Sequence, residues 1–546
     1  MQAKGAITDN QTNFKETFLR VLRETAVYVA VFFLTLILYL LLKPQIAEQE
    51  TGAVAQAITI VGLGICLAFG SYLYATKRLT ARASILLLLV MGYLLRLGYI
   101  LYTPASVRQH DTFSINADGH EAYAWTLFDT GKLPTTNAYQ FYHPPLNALV
   151  QSWFMHFLSG VAKLFGVDCG AYAYAKPEYV SEYRYFLFGG CQILSLTYSL
   201  ITCVFTLKIL RHFPFSEKTR VLLSAFVILF PRNVQMSGQL NNDPLAFLFA
   251  ILSLHFAVKW WYGNRRTVDI LLCAVSVGLG MTTKFSSATV CLPIAGIFIY
   301  EFIRSLKKEK QALPVGQLLL QYAIFLCICA PIGLWFQVYA HQRFSQPFGY
   351  VFSNLHEGLY TGNHNFFERF VFAFDLSEYF GSLYCRPFDN YSVFHYVLRS
   401  SIFGEFSYWR GYGFAVASVI FAYAVVVFLL IALTYFSVRM IRRRKHGGAL
   451  WSKTGAIPFK EFLFVFLLLQ SQALSQMYFN LSMPYGCTMD FRYIMPSILA
   501  VGLVIGYTQK ALETTDSGFA RVTNRLLTIS VVGFLCCASL FYCVCI

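Results

Sequence analysis

Charge is scarce in this sequence. Asp, Glu, Lys and Arg together make up 13% of 546 residues, hydrophobic residues make up 57%, and mean hydropathy is +0.53. A water-soluble chain of this length could not cover itself with so few charges, which excludes a cytosolic enzyme and a disordered chain. No solenoid period, low-complexity tract or separate soluble domain is visible. Metal-type cysteine spacing is lacking too. The 14 cysteines lie mostly inside apolar runs, as at Cys327/Cys329 and Cys536/Cys537, where a thiol acts as a small hydrophobe, so a secreted disulfide scaffold is also excluded. Short alternating strands of a membrane β-barrel are missing as well. The apolar runs last about 20 residues, the length that crosses ~30 Å as helix. What is present is a polytopic, all-α membrane protein.

Apolar runs predict about thirteen transmembrane helices. They fall at Thr25–Leu42, Ala53–Ala75, Ser84–Tyr102, Tyr185–Leu210, Val221–Gln235, Pro244–Tyr262 and Val268–Thr282. The series continues with Phe285–Ile303, Leu318–Tyr339, Phe414–Val438, Glu461–Asn480, Tyr493–Tyr507 and Leu526–Ile546. Residues 1–24 are polar and mixed in charge and read as a cytoplasmic segment without a cleavable signal. Residues 25–546 read as one transmembrane domain with two long outer loops, 103–184 and 341–411. Asn147–Phe165 is apolar but carries Gln151, His156 and Lys163, and is expected to lie at the interface or re-enter.

The net charge of +16 suggests nucleic acid until its distribution is considered. Lys77, Arg78 and Arg82, then Arg211, Lys218 and Arg220, then Arg265 and Arg266 fall in alternate loops. Arg304, Lys307, Lys308 and Lys310, and the run Arg439 to Lys445, continue the pattern. With the N-terminus in the cytoplasm the basic excess is a positive-inside bias, which leaves no case for nucleic acid, and the plasma membrane is the expected location.

Unusual polar residues gather in the opposite, outer loops. Loop 103–184 reads Arg108-Gln109-His110-Asp111, then Asp118-Gly119-His120-Glu121, then Gly131-Lys132-Leu133-Pro134 and Tyr142-His143-Pro144-Pro145-Leu146. Asp111 follows a span closely, where partial desolvation can tune a carboxylate as a base; a solvated loop pairing it with Arg108 or Lys132 is the plain alternative. Asn242-Asp243-Pro244 suits helix capping or a site. Lys284 interrupts a long apolar stretch and either snorkels or faces the same site. Arg399-Ser400-Ser401 with Gly404-Glu405 closes the second loop. Asp490-Phe491-Arg492 opens a helix with opposite charges that could be an ion pair. Cations that hold a phosphate, beside a carboxylate that takes a proton, suit a reaction between a membrane-borne anion and a hydroxyl.

At these residues, over about 85–505, the chain resembles the GT-C integral-membrane glycosyltransferases, most closely the family 39 group of protein mannosyltransferases and lipid A aminoarabinose transferase, and its bacterial members above all. The resemblance implies a GT-C helical bundle and inverting transfer of a sugar from polyprenyl phosphate to an acceptor hydroxyl of a glycan, lipid or protein at the outer face. It implies an acidic base in the first outer loop, here Asp111 with Asp118 as rival. The resemblance also implies that His143, where the aminoarabinose branch has lysine, lies near the lipid phosphate. Arg108, His110, Lys284, Arg399 and Arg492 are the other candidates for donor phosphate, with His120, Glu121, Asn242, Asp243, Glu405 and Asp490 in support. His110, His120, His143 and Glu121 could hold a divalent ion. A transporter or flippase for a lipid-linked sugar is the alternative that keeps the same helices and anion-binding cations.

Overall fold

The computed structural model describes residues 23–43, 52–105, 107–111, 119–166, 177–349, 360–370, 391–406, 408, 410–445 and 457–545. Asp118, most of the N-terminal segment and parts of both long loops lie outside the described residues.

The expected spans fall on helices, with Val221–Gln235 interrupted at Phe230 and Tyr493–Tyr507 at Met495 and Pro496. Ten helices are long and apolar enough to cross a membrane, and up to twelve if each of two bent pairs is one span. In chain order the helices, spanning or not, are α1 (Arg23–Lys43), α2 (Ala53–Ala75), α3 (Ala81–Tyr102), α4 (His120–Thr130), α5 (Leu146–Leu164) and α6 (Pro177–Leu210). Next come α7 (Glu217–Leu229), the short α8 (Pro231–Gln235), α9 (Asp243–Tyr262), α10 (Thr267–Thr283), α11 (Cys291–Leu306) and α12 (Val315–Phe344). The chain closes with α13 (Phe366–Phe370), α14 (Val393–Phe403), α15 (Tyr412–Lys445), α16 (Phe459–Ser482), α17 (Ser497–Glu513) and α18 (Gly518–Val544). Helix α10 has 17 residues and falls short of a full crossing by itself. Among the described residues the only β pairing is one isolated bridge, Tyr360 to Tyr485. The whole is a polytopic helical bundle, consistent with the GT-C architecture.

Burial sorts these helices by solvent. Helix α9 buries residues on every side and sits between α6 and α10, as an all-round apolar helix must inside a bundle. Helix α2 buries only Ala55, Thr59 and Cys66 and presents Ile60, Val61, Ile65 and Leu67 outward, the pattern of a lipid-facing helix. Helix α5 is inverted relative to a soluble helix. It turns Asn147 and Gln151 into the protein and exposes Trp153, Phe157 and Leu164.

Three interruptions in the spans matter more than their lengths. Helix α7 stops at Leu229, and α8 departs at 44° after Pro231, because proline supplies no N–H and clashes with the preceding turn. The buried Arg96 of α3 stabilises this break. Its Nη1 donates to the Ile228 carbonyl at 3.0 Å and its Nε to Ser199 Oγ at 2.8 Å. Helix α10 ends at Thr283, and Lys284 adopts an extended backbone before a 3-10 turn over Phe285–Val290. Two 3-10 turns, Gly486–Met489 and Phe491–Ile494, precede α17 at a bend of 61°. Each break delivers charged side chains to the same end of the bundle.

Helix α9 spans about 30 Å at 1.5 Å per residue. Asp243 stands at one of its ends. At the other, Tyr262 donates to Glu461 at 3.0 Å and Trp261 Nε1 donates to Glu301 at 3.1 Å. A membrane-impermeant thiol reagent added from outside should label cysteine introduced at exposed Asn363, over the background of native cysteines, and should spare cysteine at exposed Lys308. The reverse labelling would invert the orientation read from the basic loops.

Candidate active site

Helix breaks and two loops converge on a knot of ionisable groups. Asp490, fully buried, accepts Arg232 Nη2 through both carboxylate oxygens, at 2.6 and 2.8 Å. The same Nη2 lies 3.1 Å from His110 Nε2, and Arg232 Nη1 donates to Gln235 Oε1. An arginine only donates, so His110 Nε2 is the acceptor and its proton sits on Nδ1. That nitrogen lies 2.9 Å from Glu405 Oε2, and Tyr396 Oη donates to Glu405 Oε1 at 2.9 Å. Burial holds the His110 imidazole far below its ordinary pKa, with Arg492 acting in the same sense, so the ring is neutral. Burial pushes the Glu405 carboxyl up, against the pull of Arg492. Gly404 makes the contact possible. Its φ is +67°, and a Cβ there would stand 2.1 Å from Arg232 Nη1. Removing one partner of a buried pair such as Arg232–Asp490 strands the other charge, at a cost of about 3–5 kcal/mol.

Beside this knot, Arg492 Nη2 reaches Asp111 Oδ2 at 3.3 Å and Arg492 Nε lies 3.9 Å from Asp243 Oδ2. Lys284 Nζ pairs with Asp243 Oδ1. Both cations lie against the Tyr493 ring, at 4.8 Å for Lys284 and 4.9 Å for Arg492. Arg492 Nε is buried and makes no hydrogen bond, an unsatisfied donor of the kind that an incoming anion could complete. Asn242 donates to the Thr283 carbonyl at 3.2 Å, tying α9 to the end of α10, and its Oδ1 is buried without a hydrogen bond.

Asp111 differs from its neighbours in access. Its side chain is 45% exposed, against 5% for Asp243, 7% for Glu405 and 0% for Asp490. Burial acts to raise its pKa, but Arg492 first, then His110, His120 and Lys284, outweigh that, and the carboxyl titrates below the usual range. The His120 N–H donates to the Asp111 carbonyl at 2.9 Å. The His120 ring, brought down to about 4 by burial, stacks on His143 at 5.5 Å and 16°. Burial lowers His143 as well, and Tyr142 lies 4.1 Å from its ring.

The structure therefore joins His110, Asp111, Asp243, Lys284, Glu405, Asp490 and Arg492 in one cluster, with His120 and His143 on one wall. Arg108 is adjacent in sequence but lies over the Tyr408 ring at 4.5 Å and the Tyr102 ring at 5.7 Å. Arg399 is buried on α14, one residue before Ser400, whose hydroxyl accepts the Phe491 N–H at 2.9 Å. Glu121 is buried on α4. Among the described residues, the group of three that could hold a metal is His110, Glu405 and Asp490, rather than His110, His120, His143 and Glu121. That trio does not fit a metal, because the Arg232 guanidinium occupies the cation position between Asp490 and His110.

Arg232 escaped the reading of the sequence, and Tyr493 entered it beside Arg492 without a role. An arginine beside proline inside an apolar span was the available signal for the first, since an intramembrane charge needs a partner. The tyrosine had no signal of its own.

The family model described as dolichyl-phosphate-mannose-protein mannosyltransferase matches residues 188–335, about a quarter of the chain. No curated protein matches. The matched stretch contains Arg232, Asn242, Asp243 and Lys284, while Asp111, Glu405, Asp490 and Arg492 lie outside it. It supports a glycosyltransferase of the GT-C type. The donor and acceptor in the family's name belong to that family.

Proposed function

We propose that the chain transfers a sugar, with inversion, from a polyprenyl-phosphate donor to an acceptor hydroxyl at the outer face of the plasma membrane. One observation carries the reading: the solvent-accessible Asp111 carboxylate stands beside two buried cations at the end of a helical bundle, within one cluster with the matched segment. Asp111 accepts the proton of the acceptor hydroxyl as its oxygen attacks the anomeric carbon, and the bond from that carbon to the phosphate oxygen breaks on the opposite side. The polyprenyl phosphate leaves with the bonding pair. Arg492 and Lys284 stabilise the charge that develops, so no general acid is required. Arg399, nearby on α14, is the third candidate for that role.

Lys284 and Arg492 pair with Asp243 and Asp111. A donor phosphate competes with Asp111 for Arg492, and as that contact weakens Asp111 becomes a stronger base. A transporter would place its ionisable groups near the bilayer midplane between repeated halves, whereas these gather at helix breaks towards one end. Mass spectrometry of surface glycans and envelope lipids from cells with and without the gene should show one glycan or glycolipid lacking a single sugar. The same loss with lipid-linked sugar retained on the inner leaflet would support the transporter instead, and an unchanged profile would overturn the transfer.

A further inference from the structure

Asp111 sits on a backbone that needs holding. Its φ is +53°, as is that of Arg108, and neither is glycine, a left-handed conformation that costs some energy and that hydrogen bonds to the neighbouring backbone can hold. Two glutamines supply these bonds. Gln109 Nε2 donates to the Gly238 carbonyl at 2.8 Å, and Gln109 Oε1 accepts the Leu240 N–H at 2.9 Å. Reciprocally, Gln239 Nε2 donates to the Arg108 carbonyl at 2.6 Å, and Gln239 Oε1 accepts the His110 N–H at 3.2 Å. Each side-chain amide thus bonds the opposite backbone as a strand neighbour would. The turn they grip is itself anchored, since Gln192 Nε2 donates to the Gly238 carbonyl at 3.0 Å and Gln151 Nε2 to the Leu240 carbonyl at 2.6 Å. From this turn the chain runs directly into Asn242 and Asp243, so the two glutamines link the loop carrying Asp111 to the start of α9.

We infer that Gln109 and Gln239 are positioning residues that set Asp111 in register with the Lys284–Asp243 pair and Arg492. Neither glutamine touches the reacting atoms in this role, which rests on Asp111 being the proton acceptor. Side-chain amides suit the task because each offers a donor and an acceptor on one planar group, and carry no charge that would disturb the paired ions around them. A shift of about 1 Å in a reacting group can cost about 10²-fold in rate.

The test uses the full chain in lipid nanodiscs, with hydrogen exchange and turnover measured on the same samples. Gln239→Leu should speed exchange in the Val107–Asp111 peptide, where it removes the acceptor of the His110 N–H, and Gln109→Leu should do so across Gly238–Leu240. Gln239→Glu retains that acceptor while losing the bond to the Arg108 carbonyl and adding a negative charge, so its change in exchange should be smaller than that of Gln239→Leu. With polyprenyl-phosphate mannose as the donor probe, Gln239→Leu should lower kcat by about 10–10²-fold with KM for the donor held within a few-fold. Unchanged exchange at 107–111, or a loss carried wholly by KM, would overturn the positioning role. Turnover by the unsubstituted protein that Asp111→Asn leaves intact would instead overturn the proposed base, while the exchange measurement still reports on the glutamines.

Discussion

Asp111→Asn should abolish transfer, by about 10²–10⁴-fold in kcat, while binding of the polyprenyl-phosphate product stays close to that of the unsubstituted protein. A base acts in the transition state, and asparagine keeps the shape and the contact to Arg492 while giving up the proton acceptor. The pH dependence gives an independent reading. Arg492 and its neighbours hold Asp111 below the ordinary 3.8, so the carboxylate is ionised across neutral and mildly acidic pH. Its activity is lost only as pH falls through that lowered value. The acid limb of kcat/KM that belongs to Asp111 should therefore lie below about pH 4. Asp118→Asn should cost less. If Asp118→Asn alone is dead, the base lies seven positions further along; if both variants turn over normally, the proton goes elsewhere and the proposed reaction falls.

Replacing the cations has the second largest expected effect. Among Lys284→Gln, Arg399→Gln and Arg492→Gln, at least two should lose about 10²–10³-fold in turnover with the lipid donor, with product-lipid binding weakened in parallel. Arg492→Gln carries a further signature. It removes the foremost influence lowering Asp111, so the acid limb of the residual rate should move upward in pH, whereas Arg399→Gln should leave that limb nearer its original position. Near-normal turnover in all three variants would mark these cations as structural, and the phosphate would then have to be sought around Arg108, His110 and His143.

Much of the site could be picked out along the chain without its connections being visible. Asp111, Asp243, Lys284, Glu405, Asp490 and Arg492 stand out because charges are rare here and each falls at the edge of an apolar run. Their pairing does not follow from position. Asp490 and Arg492 look like a local pair in sequence; in the structure Asp490 is bound by Arg232, 258 residues away, and Arg492 reaches Asp111, 381 residues away. His110 suggested phosphate or metal as a sequence; its ring nitrogens face Glu405 and Arg232. Gln109 and Gln239 carried no signal, because a glutamine is informative only through the groups opposite it.

The sequence alone determined the helical character of the protein, because lipid offers no hydrogen bonds to the backbone and a long apolar segment must satisfy its own. It also determined where the spans run, since hydropathy is summed over neighbours in the chain. Expected and observed segments agree to within a few residues at most ends. Where a span bends was decided by tertiary contacts. Pro231 permits a break, and at the 44° bend Arg96 of α3 bonds Ile228 while Ser199 of α6 bonds Asn233 on α8. The ionic partnerships were likewise decided by the fold, since a charge taken from water must take its partner from whatever the packing brings within about 4 Å. Carboxylates that look alike in the sequence therefore differ in burial and neighbours, and only the folded chain separates the enclosed Asp490 from the exposed Asp111.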